Sequence, residues 1–102
     1  MYKEQTNLFN GREYEWEGET SNWMNSTATN FIEFVTAPNN PDGLMQEPVL
    51  KGSSVIYDHA YYWPHFTAIP YSADEDVMLF SASKTSGHAG TRFGYVFVSI
   101  IL

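Results

Sequence analysis

Three short groups carry the residues that could do chemistry: Asn40-Pro41-Asp42-Gly43, Asp58-x-x-Tyr61, and Ser81-x-x-Lys84 with Arg92 eight residues on. Lys84 draws attention first. It sits in a Ser/Gly-rich stretch, 81–92, between the apolar runs Val77-Met78-Leu79-Phe80 and Phe93-Gly94-Tyr95-Val96-Phe97-Val98. The chain has only five Lys and Arg, and two of them fall in this stretch. A lysine close to a core is costly unless it is paired or made neutral. Bonding its nitrogen to a carbonyl carbon as a Schiff base is one way to do so.

Taken together, the three groups match what a pyridoxal phosphate site asks of a protein. Lys84 can form the Schiff base. Asp58 can hold the ring nitrogen protonated, which makes the ring an electron sink. Asn40 and Tyr61 can hydrogen-bond the ring oxygen. Ser81 and Arg92 can bind phosphate, the arginine through a bidentate, charge-assisted contact. Each group has a plainer reading when taken alone. Asn-Pro-x-Gly is a common turn, Asp58 can be a capping aspartate, and a lysine near glycines is usually solvated. Ser-x-x-Lys also occurs in serine acylases, whose other motifs are missing here. The order and spacing of all six residues favour the joint reading.

The elements that must position these residues follow from the apolar pattern. Strands are predicted at Phe31–Thr36, Ser53–Tyr57, Val77–Phe80 and from Phe93 onward. Asn40, Asp58 and Lys84 then each lie just after a strand, where functional residues of α/β sheets gather. Near-continuous apolar runs predict a sheet buried on both faces, hence the α/β class. A short, half-exposed strand is predicted at Tyr14–Glu17 and a short helix over Leu44–Leu50, interrupted by Pro48. Ala37-Pro38-Asn39-Asn40-Pro41-Asp42-Gly43 is a strong turn signal.

Composition narrows the function classes. A net charge of -7 argues against nucleic-acid partners and anionic membrane surfaces. No apolar run is long enough to span a bilayer, and Met1–Gln5 lack signal-peptide character, which leaves the compartment open. There is no cysteine, so there is neither a disulfide framework nor a thiolate metal site. His59, His65 and His88 with Asp58 show no familiar ligand spacing, and neighbours Asp58 and His59 point to opposite sides of an extended segment, so no metal is expected. Asn25-Ser26-Thr27 fits the N-glycosylation acceptor pattern. Tyr61-Tyr62-Trp63 could be a ligand platform or, more plainly, an active-site wall.

The finer strings carry a resemblance. Val35-Thr36-Ala37-Pro38-Asn39-Asn40-Pro41-Asp42-Gly43, Tyr61-Tyr62-Trp63-Pro64-His65-Phe66 and Ser83-Lys84-Thr85-Ser86-Gly87-His88-Ala89-Gly90-Thr91-Arg92-Phe93-Gly94 resemble the plant alliinase and tryptophan aminotransferase-related family. The similarity runs from about Tyr2 to Val98. The link Leu44–Tyr57 is more like the alliinase-like branch. The resemblance implies that residues 1–102 are a partial cofactor-binding domain of the fold-type I aminotransferase architecture, a large and mostly parallel sheet truncated at both ends. It implies Lys84 as Schiff-base lysine and proton shuttle, Asp58 on the ring nitrogen, Asn40 and Tyr61 on the ring oxygen, and Ser81, Ser83 and Arg92 among the cofactor-binding residues. Amino-acid and oxo-acid substrates and a homodimeric full-length enzyme are expected with it. An amino-acid aminotransferase is the favoured activity. The alternatives are a carbon–sulfur lyase and a catalytically inactive truncated product. Tyr95 stands where a tryptophan is usual, and Ser99–Leu102 depart from the family's charged continuation, which suggests an altered transcript end.

Overall fold

The computed structural model describes residues 1–8, 11, 13–27, 30–70 and 72–99. Four strands form: β1 (Ile32–Thr36), β2 (Ser54–Asp58), β3 (Val77–Ser81) and β4 (Gly94–Val98). All four fall on the predicted apolar runs, shifted by a residue at some ends. They make one sheet in the order β1-β2-β3-β4. β1 pairs parallel with β2 from Ile32↔Ser54 to Thr36↔Asp58, and β2 pairs parallel with β3 through Asp58↔Leu79. β4 turns back antiparallel on β3, with Val77↔Val98 and Ser81↔Gly94 as the outer pairs. The chain is thus an α/β unit with a mostly parallel sheet, as the resemblance implies.

The helical parts are short. α1 covers Tyr2–Leu8, α2 covers Ser83–Ser86, and single 3₁₀ turns cover Thr20–Trp23 and Ala89–Thr91. Lys84 therefore rides on a helical turn rather than in an open loop. Ser81 Oγ accepts the Ser83 N–H at 3.2 Å at its start, and Gly87 ends it in the left-handed region at φ 71°.

Two predicted elements are absent, each for a visible reason. Residues 43–49 are irregular, not helical. The buried Glu33 carboxylate on β1 takes the N–H groups of Val49 (2.9 Å) and Leu50 (3.1 Å) and the Ser53 hydroxyl (3.3 Å). Donors that a helix would have used are committed to the sheet, and Pro48 has no N–H to give. Residues 14–19 form no strand either. Trp23 Nε1 donates to the Glu17 carbonyl at 3.0 Å, so a side chain from the following 3₁₀ turn holds this segment.

Burial is concentrated on β1, β2, β3 and the segments that follow them. Among the described residues, Val35, Ala37, Pro38, Tyr62 and Met78 are buried apolar ones, and His59 lies fully inside with 1% exposure. Its Nδ1 contacts the Ala37 carbonyl at 2.6 Å and its Nε2 the Glu75 carboxylate at 3.3 Å, while Tyr62 and Phe80 flank its ring. This corrects the expectation of a sheet covered on both faces. Every position of β4 is exposed, Val98 to 60%. Phe80 meets Tyr95 and Phe97, but that contact covers only part of the edge strand.

Candidate active site

Parallel pairing fixes where the chemistry can gather. Because β1, β2 and β3 run the same way, their carboxyl ends share one edge of the sheet. Asn40 comes four residues after the end of β1, Tyr61 three after β2 and Lys84 three after β3. The connections bring these three together. Asn40 Nδ2 donates to Tyr61 Oη at 3.2 Å, and Lys84 Nζ lies 5.0 Å from the centre of the Tyr61 ring. A lysine amine over a tyrosine face is an attractive arrangement, and Lys84 as a residue is half-buried.

Each arm is held locally. The Asn40 loop is closed by Asn39 N–H to the Leu44 carbonyl and Gly43 N–H to the Asn39 carbonyl, both 2.8 Å. Asp42 Oδ1 accepts from Asn39 Nδ2 and Leu44 N–H at 3.0 Å each. Gly43 sits at φ 71°, a conformation glycine adopts without strain. On the Lys84 side, the ladder of β3 and β4 closes the loop, with Ala82 N–H on the Phe93 carbonyl at 3.0 Å. Gly94 must stay small there, since a Cβ would stand 2.7 Å from the Phe80 carbonyl oxygen. The ring nitrogen Nε2 of His65 meets the Lys84 carbonyl at 2.9 Å and ties the aromatic segment to α2.

Asp58 is the last residue of β2 and is buried. Its Oδ1 accepts the Ala60 N–H at 3.0 Å, and its Oδ2 accepts the Tyr2 hydroxyl at 2.5 Å. The Tyr2 hydroxyl also lies 3.2 Å from Thr36 Oγ1, and its ring stacks on Phe34 with centroids 4.7 Å apart. Burial, first, and the Asp58 carboxylate, second, push the Tyr2 phenol up to about 12.

The remaining predicted residues are engaged elsewhere. Ser81 Oγ and the Ser83 N–H hold the start of α2, and Arg92 Nη1 donates to the Ala89 carbonyl at 3.3 Å. Arg92 is exposed and has φ 54°, unusual for a residue with a side chain. A cleft of about 990 Å³ runs along β1 beside Trp16, Trp23 and Phe34, and none of the seven predicted residues lines it. Tyr2 and Thr36, which touch Asp58 or its partner, do line it.

The sequence reading missed Tyr2, Thr36 and His65. Tyr2 lies 56 residues from Asp58, and nothing in its own neighbourhood marks it. His65 lies in the Tyr61-Tyr62-Trp63-Pro64-His65-Phe66 string, where nothing local marks it as a tie to α2.

The allinase family profile matches residues 1–100. The chain belongs to the allinase family. Among the relatives of this allinase-family chain, the alliin lyase of Allium cepa var. aggregatum is 52% identical over 99 residues, 96% of this chain and 22% of that protein. Alliin lyase 1 of Allium sativum is 50% identical over 99 residues, 96% of this chain and 20% of that protein. Tryptophan aminotransferase-related protein 4 of Arabidopsis thaliana is 50% identical over 101 residues, 93% of this chain and 22% of that protein. The chain therefore spans about a fifth of the length of the curated relatives it matches.

Proposed function

We propose that this chain is the cofactor-holding part of a pyridoxal phosphate-dependent enzyme that acts on an amino acid, an aminotransferase of the tryptophan aminotransferase-related kind. The observation that carries this reading is the meeting of Asn40, Tyr61 and Lys84 at the sheet's carboxyl edge, where β2 ends on the buried Asp58. The donor set fits the cofactor. It offers an amine, a carboxylate for a ring nitrogen, an amide and phenol for a ring oxygen, and an exposed guanidinium for a phosphate.

When bound, pyridoxal phosphate supplies an electron sink for a substrate carbon that has lost its α-proton. Lys84 Nζ would hold the cofactor and would be the amine placed to move that proton. Asp58 keeps the ring nitrogen protonated, while Asn40 and Tyr61 hold the ring oxygen in register with Lys84. Arg92, assisted by the hydroxyls of Ser81 and Ser83, anchors the phosphate. For that, Arg92 would have to leave its contact with the Ala89 carbonyl.

A second reading, a carbon–sulfur lyase, draws on the 52% identity to an alliin lyase. Both activities begin with α-proton removal, so these residues serve either. The deciding assay gives the full-length protein carrying this chain tryptophan plus pyruvate, or an S-alkyl cysteine sulfoxide. Pyruvate consumed supports the aminotransferase, and pyruvate formed from the sulfoxide supports the lyase. Neither change, with the cofactor loaded, overturns both.

A further inference from the structure

We propose that Tyr2 is a positioning residue for Asp58, its hydroxyl aiming the carboxylate at the cofactor's ring nitrogen. The inference rests on the cofactor reading above and goes beyond it, because Tyr2 lies outside the groups that carry that reading.

Both oxygens of Asp58 are fixed. Oδ1 is held by the Ala60 N–H of its own segment, and Oδ2 by Tyr2 from α1. Held only at Oδ1, the carboxylate could swing about its terminal torsion, which is broad in aspartate. The second donor removes that freedom. Tyr2 is itself fixed by its stack on Phe34, 11° from parallel, and by Thr36 Oγ1. The contact does not use up the carboxylate, since each oxygen has two lone-pair sites. Oδ2 can keep the phenol and still accept a ring N–H. Hydrogen bonds to an ionised group are among the stronger ones, and a pair fixed before the ligand arrives spares it the cost of ordering. A phenol that titrates near 12 remains a donor throughout the neutral range. Tyr2 also lines the 990 Å³ cleft, so it touches both that cleft and Asp58.

The test pairs one substitution with one atom of the ligand. The full-length protein carrying this chain and its Tyr2→Phe variant, which keeps the ring on Phe34, are titrated with pyridoxal phosphate. The same titration uses its 1-deaza analogue, in which a C–H replaces the ring nitrogen. Tyr2→Phe is expected to weaken pyridoxal phosphate by about tenfold and to leave the deaza analogue unchanged. Equal weakening of both ligands means a general structural role and overturns the inference, as does no weakening of either. If neither chain binds pyridoxal phosphate, the cofactor reading falls and the role of Tyr2 falls with it. If both bind it equally, only the role of Tyr2 falls. A cofactor-free readout is the near-ultraviolet phenolate titration, wild type minus Tyr2→Phe. It should show one phenol with a midpoint near 12 that drops in Asp58→Asn. A midpoint near the ordinary 10.0 contradicts the contact.

Discussion

Lys84 Nζ lies 5.0 Å above the ring of Tyr61, whose hydroxyl accepts a hydrogen bond from Asn40. Three residues from three separate segments are joined by two contacts, and that junction is the centre of the proposed site. Removing the Tyr61 hydroxyl breaks the Asn40 link but leaves the ring under Lys84. Tyr61→Phe should therefore weaken pyridoxal phosphate binding by about five- to tenfold, the loss of about one hydrogen bond, while Tyr61→Ala should weaken it further. No loss in Tyr61→Phe would mean that the hydroxyl has no part in binding, and equal losses in the two variants that the ring adds nothing to it.

Glu33 is the strongest structural prediction. Its buried carboxylate accepts from Val49, Leu50 and Ser53, so Glu33→Ala strands two backbone donors beside the sheet. The expected loss is about 2–3 kcal/mol in urea unfolding. A change under about 0.5 kcal/mol, the usual size for an uninvolved surface site, contradicts the role given to it.

Gly94 is required by space rather than by conformation. A methyl group there would sit 2.7 Å from the Phe80 carbonyl oxygen, which belongs to the β3 backbone and cannot move aside cheaply. Gly94→Ala should lower stability by about 1–3 kcal/mol, measured by thermal unfolding, and should loosen the loop that carries Lys84. An unchanged melting temperature would show that β4 shifts freely.

Tyr2 predicts an alkaline weakness. Its phenol titrates near 10.0 in the unfolded chain and near 12 in the folded one, so the neutral form is favoured by folding. That contribution is fully present below pH 10 and is lost as pH rises toward 12. Unfolding free energy should fall across this window more steeply in wild type than in Tyr2→Phe. Parallel curves would remove Tyr2 from the explanation.

The apolar edge β4 predicts behaviour in solution. Val96 and Val98 are 57% and 60% exposed on a strand with one free side, the kind of surface that pairs with other chains. The double variant Val96→Thr and Val98→Lys should raise the soluble fraction at a given concentration. An unaltered soluble fraction would contradict the role given to this edge.

How much of this was legible in the sequence depends on the range of the interaction. The strands were legible because Phe31–Thr36, Ser53–Tyr57 and the two later runs are apolar and β-rich, and parallel pairing then brought Asn40, Tyr61 and Lys84 to one edge. The helix expected over Leu44–Leu50 failed because Glu33, on another element, takes its donors. Tyr2 was invisible for the same reason, its partner lying 56 residues away. Coverage of β4 was misjudged because an apolar run states what a strand can bury, not what is present to bury it.

The central claim is that Lys84 bonds to the cofactor. The most direct measurement reduces a sample loaded with pyridoxal phosphate using borohydride, then maps the modified peptide. A pyridoxyl group on Lys84 is the predicted result. A group on Lys3 or Lys51, with Lys84 unmodified, would contradict it.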